Sequence, residues 1–395
     1  MTDSHDEPRQ ATSPEGSLAF EVGPIRPPSE AKSLLVRVSR NCPWNKCTFC
    51  PVYKRARFSR RAVEDVLADI DAMGRVRDRL RERSAALGAV GGVAREAVEE
   101  LMWAEPDHQG IGQVALWLMT GSRTVFLQDA NSLLVKPEDL VRILVRLRQV
   151  FPEVSRITSY ARSHTLSKIP EEGLRALREA GLDRIHVGLE SGSDEVLRRV
   201  KKGCTKEEHI VGGRKVVAAG MELSEYVMPG LGGAELSDEH ADETADALRQ
   251  IDPHFIRLRT LGLRQGTSLR EEFEASGFAP LDEDGVVREI RRLVLGLTGI
   301  RSTLASDHIL NLLEDVAGTL PEDHERILGL IDGYLGMEDD DRLAFQLGRR
   351  LGALRSPEDL EHPGARARLA PLVKEALAHP GGPQALLREL LTRFI

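Results

Sequence analysis

The chain has 395 residues, of which 41% are hydrophobic and 29% charged, and its net charge is −8 at pH 7. This composition is typical of a folded globular protein and excludes a chain that is disordered throughout. The excess of acidic residues argues against a nucleic-acid partner, because attraction to phosphates needs a basic surface. No stretch approaches 18 consecutive apolar residues, so we expect a cytoplasmic protein that does not cross a membrane.

Short apolar runs alternate with helical patterns over the first two thirds of the chain. The predicted strands are 33–39, 124–128, 155–160, 183–188, 222–228 and 254–260. Helices are predicted at 59–83, 137–150, 170–180, 194–201, 205–219 and 237–250. Such alternation predicts an α/β fold with parallel strands, in which ligands gather at the carboxyl ends of the strands.

The remaining segments predict the domain organisation. Residues 1–31 are rich in Pro, Ser, Glu and Asp and are predicted to form a flexible leader before a core at 32–282. Within the core, 84–122 is too long for a simple connection and predicts a helical insertion. Beyond the core only amphipathic helical patterns remain, so 283–395 is predicted to be a C-terminal helical region without strands.

Three of the four cysteines, Cys42, Cys47 and Cys50, fall within nine positions directly after the first predicted strand. Thiolates are the usual ligands of zinc and of iron–sulfur clusters, so this C-x4-C-x2-C loop predicts one inorganic centre. A structural zinc site is normally closed by a fourth protein ligand, whereas three thiolates leave one iron of a four-iron cluster open. The remaining cysteine, Cys204, either closes a four-thiolate site or is a small packed residue.

The cysteine loop, with the aromatic Phe49 before its last cysteine, resembles that of the radical S-adenosylmethionine (SAM) superfamily. The branch it resembles contains the methylthiotransferases and the oxygen-independent coproporphyrinogen oxidases. The resemblance covers roughly residues 33–270. The loop is a variant, because the commonest spacing in the family is C-x3-C-x2-C.

The resemblance implies a partial (β/α)6 barrel and a [4Fe–4S] cluster on Cys42, Cys47 and Cys50, with SAM on the open iron. It implies a reductive cleavage of SAM to a 5′-deoxyadenosyl radical, which abstracts hydrogen from a substrate. The implied partners are a small or medium organic substrate and an electron donor such as flavodoxin or ferredoxin.

Polar residues follow the second and third predicted strands. Asp129 either holds the ammonium group of SAM or shapes the turn that follows the strand. Arg162 either pairs with a carboxylate, such as that of the SAM methionine, or forms a structural ion pair. Both residues are predicted to bind SAM.

Similar proteins use the segments after the fourth and fifth strands to bind SAM. The resemblance therefore implies that Phe49, Glu190 and Ser191 line the SAM pocket and that the glycine-rich turn at Gly230 approaches the adenine. The segment after the fourth strand is also typical of a strand-to-helix turn, in which Ser193 caps the next helix.

The last predicted strand carries Arg257 and Arg259 at alternate positions, so both point to one side of the strand. That side is either salt-bridged or exposed to an acidic substrate. Farther along, His308 either belongs to a helix cap or lies on the substrate side. The alternative to an enzyme is a binding protein without turnover, stabilised by zinc or by an iron–sulfur cluster.

Overall fold

The computed structural model of the chain describes residues 17–105, 110–362 and 364–392. The strands are β1 (Leu34–Arg37), β2 (Ser39–Arg40), β3 (Ser59–Arg60), β4 (Thr124–Gln128), β5 (Arg156–Ala161), β6 (Arg184–Glu190), β7 (Glu222–Val227), β8 (Phe255–Leu258), β9 (Thr303–Ala305) and β10 (Gly318–Thr319). The helices are α1 (Val63–Ala86), α2 (Arg95–Ala104), α3 (Ile111–Met119), α4 (Pro137–Val150), α5 (Ser163–Lys168), α6 (Glu171–Glu179), α7 (Asp194–Arg199), α8 (Lys206–Ala218), α9 (Ser237–Ile251), α10 (Ser268–Glu274), α11 (Glu283–Gly296), α12 (His324–Leu335), α13 (Asp339–Arg350), α14 (Ala365–Ala378) and α15 (Gly382–Leu391).

The predicted α/β fold class is confirmed. All six predicted strands are present, as β1 and β4 to β8, with ends that differ by about two residues at most. The helix predicted at 137–150 has the same bounds in the structure, as α4. Proline is favoured in the first turn of a helix, and the carboxyl end of α4 coincides with the end of the apolar periodicity. The six strands are those that a partial (β/α)6 barrel requires.

The described residues divide into two compact units. Unit 1 lies within Met1–Pro43, Arg57–Tyr160 and Arg175–Asp183, and unit 2 lies within Trp44–Ala56, Ala161–Leu174 and Arg184–Ile395.

In unit 1, β4 pairs in parallel with both β1 and β5. Its side chains from Val125 to Gln128 are buried, as expected for a strand covered on both faces. The predicted insertion is helical: α1 continues to Ala86, and α2 and α3 follow it. Trp117 of α3 packs edge-on against Phe151, with ring centroids 5.5 Å apart.

Part of the predicted leader packs against the rest of unit 1. Leu18 is buried, and Arg75 Nη2 donates to the carbonyl of Ser17 at 2.6 Å. Glu21 forms ion pairs with Arg37 and Arg40 at 2.8 and 2.7 Å. Residues 1–16 of the leader lie outside the described residues.

In unit 2, β7 pairs in parallel with β6 and β8, and β8 pairs in parallel with β9. The expectation that no strand follows residue 283 is wrong, because β9 extends the parallel pairing and β10 pairs with it in antiparallel. Both strands have only two or three residues, too few to show a period in the sequence. The rest of this region is helical, as predicted. None of the described helices is long and apolar enough to cross a membrane.

Helix α8 begins with a capping box, which yields the first testable prediction. Thr205 Oγ1 accepts from the Glu208 amide at 3.2 Å, and Glu208 Oε2 accepts from the Thr205 amide at 3.3 Å.

Thr205→Ala should lower the free energy of unfolding by about 1 kcal/mol, whereas Thr205→Ser should leave the free energy of unfolding unchanged. Urea denaturation followed by circular dichroism measures both. Equal midpoints for Thr205→Ala and the unchanged protein would show that this cap does not stabilise the helix.

Candidate cofactor site

The last carbonyl groups of helix α7 and of the turn after it accept hydrogen bonds from two other parts of unit 2. The Thr48 amide donates to the carbonyl of Val200 at 3.0 Å, and Trp44 Nε1 donates to that of Lys201 at 2.7 Å. Arg162 Nη2 donates to the carbonyls of Lys202 and Gly203, at 2.8 and 3.1 Å. Because the end of a helix leaves its carbonyls without helical partners, it is a natural attachment point for donors. The cysteine loop is attached there at two points.

The loop itself is held in shape by Lys54 and by apolar packing. Lys54 Nζ donates to the carbonyl of Cys47 at 2.8 Å. On the far side, the amide of Leu269 donates to the carbonyl of Thr48 at 3.1 Å. Cys47 and Cys50 are half-buried. Their thiols therefore lie on a fixed loop.

Phe49 points into an apolar cluster of unit 2. Its ring packs against a buried group of side chains, and Lys202 Nζ lies 5.9 Å from the ring centroid. The aromatic residue therefore anchors the loop between two cysteines. The buried residues of the cluster are Val196, Val200, Leu231, Leu269 and Phe278.

Glu190 and Lys202 form a largely buried ion pair. Lys202 Nζ lies 2.9 Å from Glu190 Oε1, and their side chains are only 13% and 12% exposed. Burial opposes the charge of Lys202, but the carboxylate of Glu190, with smaller contributions from Cys47 and Cys204, outweighs it and raises the pKa of the ammonium group. A Cβ at Gly188 would lie 2.2 Å from Glu190 Oε1, so only glycine leaves room for the pair.

Lys202 was not predicted from the sequence. The only signal available was the Lys-Lys-Gly turn after α7, which alone is typical of a solvated helix end. The structure brings its ammonium group to Glu190 and within electrostatic range of Cys47. A cation near a thiol favours the thiolate form, which is the form that binds metals.

Arg162 braces the turn after α7. Besides its two hydrogen bonds to carbonyls, its guanidinium lies 5.2 Å from the centroid of the Trp44 ring. Gly203 has a φ of 70°, and a Cβ there would lie 2.3 Å from the Trp44 ring. The geometry therefore gives Arg162 a role in positioning Trp44 and the turn.

Ser191 and Gly230 are tied to one buried network. His240 Nδ1 lies 2.8 Å from Ser191 Oγ, and Glu289 Oε1 accepts from the Gly230 amide at 2.6 Å. His240 Nε2 lies 3.6 Å from Glu289 Oε1. The network therefore links the ends of β6 and β7 to α9 and α11. The hydroxyl of Ser191 is completely buried, and the expected cap by Ser193 is present at 3.1 Å. The sequence did not indicate His240 or Glu289, because both lie on helices far along the chain.

In unit 1, Asp129 holds the backbone just before Cys42. Its Oδ2 accepts from Arg37 Nη2 at 2.7 Å and from the Asn41 amide at 2.9 Å. Its Oδ1 is buried and has no hydrogen-bond partner among the described residues. A Cβ at Gly23 would lie 2.4 Å from that oxygen, so Gly23 covers it closely. These contacts favour a role for Asp129 in positioning the start of the cysteine loop.

Cys204 is held as a neutral thiol. Burial is the main cause that raises its pKa to about 11. Its Sγ lies 3.2 Å from His209 Nε2, and His209 Nδ1 lies 2.6 Å from Ser163 Oγ. Burial, with the positive charges of Lys202 and Arg162, lowers the pKa of His209 to about 3. The contact with His209 gives the thiol of Cys204 a packing partner outside the C-x4-C-x2-C loop.

Among residues 17–105, 110–362 and 364–392, no group of three or more His, Cys, Asp or Glu side chains is arranged to hold a single metal ion. A four-iron cluster makes a different demand, because each thiolate binds a different iron and the sulfurs lie farther apart. In unit 2, Cys47 and Cys50 lie on the anchored part of the loop, and Cys47 is within electrostatic range of Lys202; thiols are the donors that such a cluster requires.

Residues 106–248 match the family described as the radical SAM superfamily, which is the superfamily that the sequence resembles. The match contains β4 to β7 and begins after the cysteine loop. The predicted SAM residues Asp129, Arg162, Glu190, Ser191 and Gly230 therefore lie within it.

Two curated proteins show local similarity to the chain. It is 26% identical over 230 residues to 4′-phospho-dehydrooxetanocin synthase of Priestia megaterium, covering 56% of this chain and 27% of that protein. It is 22% identical over 121 residues to tRNA uridine(34) acetyltransferase of Methanocaldococcus infernus, covering 30% of this chain and 23% of that protein. The chain thus spans about a quarter of the length of the curated relatives it matches.

Among solved structures, the chain is similar to the cobalamin-dependent S-adenosylmethionine radical enzyme OxsB with aqua-cobalamin and S-adenosylmethionine bound. The TM-score is 0.42 and the sequence identity 14%, over 93% of this chain and 55% of that one.

The Lys202–Glu190 pair yields a second prediction. Lys202→Met should lower the free energy of unfolding by about 2 kcal/mol, because it leaves a largely buried carboxylate without its cation. The double variant with Glu190→Gln should recover more than half of that loss, since both charges are then absent. Urea denaturation of the single and double variants measures the coupling.

The exposed pair Arg198–Glu195 on α7, the helix before the turn that carries Lys202, supplies a matched control, since its side chains are 72% and 45% exposed. Arg198→Met should leave the unfolding midpoint unchanged. Additive losses in the Lys202 and Glu190 variants would contradict an energetic coupling between the two charges.

Proposed function

We propose that this chain is an enzyme that cleaves SAM reductively, because residues 106–248 match the radical SAM superfamily. Cys42, Cys47 and Cys50 would hold the [4Fe–4S] cluster. The proposal rests mainly on the attachment of the cysteine loop to the end of helix α7, through Thr48 and Trp44. This attachment fixes the part of the loop that carries Cys47 and Cys50, and the region that matches the superfamily begins farther along the chain, at residue 106.

A bound [4Fe–4S] cluster would supply the electron that cleaves SAM, and its fourth iron would be open to the nucleotide. The protein groups keep this arrangement in place. Lys54 and Phe49 hold the loop, Lys202 balances the negative charge near Cys47, and burial keeps Cys204 a thiol. The chain therefore offers three thiolates and retains its fourth cysteine for packing.

SAM itself would be held by residues at the strand ends. In unit 2, Glu190 and the backbone at Ser191 and Gly230 would line its pocket, while Arg162 positions the turn that carries Lys202. In unit 1, Asp129 would orient the residue before Cys42. The finer parts of the proposal are a small or medium organic substrate and an electron donor such as flavodoxin or ferredoxin.

Four cysteine variants test the proposal. After anaerobic reconstitution the unchanged chain should contain about four irons and four sulfides and should form 5′-deoxyadenosine from SAM and dithionite. Cys42→Ala, Cys47→Ala and Cys50→Ala should each lose iron and this activity. Cys204→Ala is the matched control and should retain both, because its thiol pairs with His209.

Two results would contradict the assignment. Loss of iron in Cys204→Ala as complete as in the other three variants would make Cys204 a ligand. One tight zinc ion and no iron in the unchanged chain would instead indicate a binding protein stabilised by zinc.

A further inference from the structure

Positive charge gathers at the carboxyl end of strand β8 in unit 2. Arg259 follows the strand, and its guanidinium lies over the Tyr226 ring, 4.2 Å from the ring centroid. The segment that carries His308 is attached to the same strand end, because Asp307 pairs with Arg257 at 2.8 Å and Asn311 Oδ1 accepts from the Thr260 amide at 3.0 Å. Arg259 and Arg264 both act electrostatically on the imidazole of His308. Tyr226, on β7, thus fixes one guanidinium beside a second arginine and a histidine.

The two arginines that the sequence placed on one side of this strand have different partners. Arg257 Nη1 lies 2.8 Å from Asp307 Oδ2, so its charge is balanced within the protein. Arg259 and Arg264 have no carboxylate within ion-pair distance among the residues that the structure describes. Arg259 is nevertheless half-buried and stacked, unlike an arginine that extends freely into water.

His308 faces this excess of positive charge. Burial lowers its pKa to about 4, with further contributions from Arg259 and Arg264, and only Asp307 acts in the opposite direction. Its Nδ1 is buried and has no hydrogen-bond partner among the described residues. A polar atom in this position lacks the hydrogen bond that buried polar groups normally make.

We propose that Arg259, Arg264 and His308 form a subsite for an oxyanion of the substrate, either a carboxylate or a phosphate. This inference rests on the proposed function, since it names the class of substrate. An oxyanion would supply a counter-charge to the half-buried guanidinium of Arg259, and the exposed guanidinium of Arg264 would add a second donor, since guanidinium groups suit oxyanions by geometry and permanent charge. It would also favour protonation of His308 and so provide another donor.

The test measures anion binding to the reconstituted chain of 395 residues, without any SAM chemistry. Isothermal titration with inorganic phosphate and with succinate should show saturable binding of at least one of them. Arg259→Gln should weaken that binding about tenfold or more, and Arg259→Lys should weaken it less. Arg292→Gln removes an arginine of α11 that is paired with Asp242, and it should leave binding unchanged.

A second readout separates this role from a purely structural one. NMR of the His308 imidazole should show that the bound anion raises its pKa, and Arg259→Gln should reduce this shift. Binding of phosphate alone would assign a phosphorylated substrate, and binding of succinate alone a carboxylic acid. Absence of saturable binding of either, or equal binding by Arg259→Gln, would overturn the inference. Formation of 5′-deoxyadenosine by the unchanged chain tests the proposed function separately.

Discussion

The end of helix α7 is the feature on which the candidate site depends. Four consecutive carbonyls, from Val200 to Gly203, accept hydrogen bonds from Thr48, Trp44 and Arg162. A helix terminus concentrates partial negative charge, so it attracts both amide donors and a guanidinium. The same turn carries Lys202 to Glu190 and Cys204 to His209. One short segment of unit 2 therefore fixes the cysteine loop and sets the charge around it.

Lys202 acts electrostatically on two cysteines of unit 2. Its ammonium group, kept charged by Glu190, lies within electrostatic range of Cys47. Cys204 is also near Lys202, but burial outweighs that cation and raises the pKa of its thiol. The Sγ of Cys204 packs against His209 of α8, which lies outside the loop that carries Cys47.

Much of the fold was predictable, because apolar runs and helical periodicity alternate along the chain. The position of the cysteine loop and the cap at Ser193 were also predictable, since both depend on neighbouring residues. The contacts that the site residues make with distant parts of the chain could not be predicted. Arg162 contacts a turn 40 residues away, and Gly230 contacts Glu289, 59 residues away. Such pairs follow from packing, which a single sequence does not encode in its local pattern.

We infer that a cluster on the cysteine loop keeps one iron open for SAM. Electron paramagnetic resonance of the reduced, reconstituted chain, recorded before and after addition of SAM, tests it most directly. A nucleotide that binds the open iron should change the spectrum of the cluster. If SAM leaves the spectrum of the cluster unchanged, the fourth iron is not open to SAM, and the inferred arrangement is wrong.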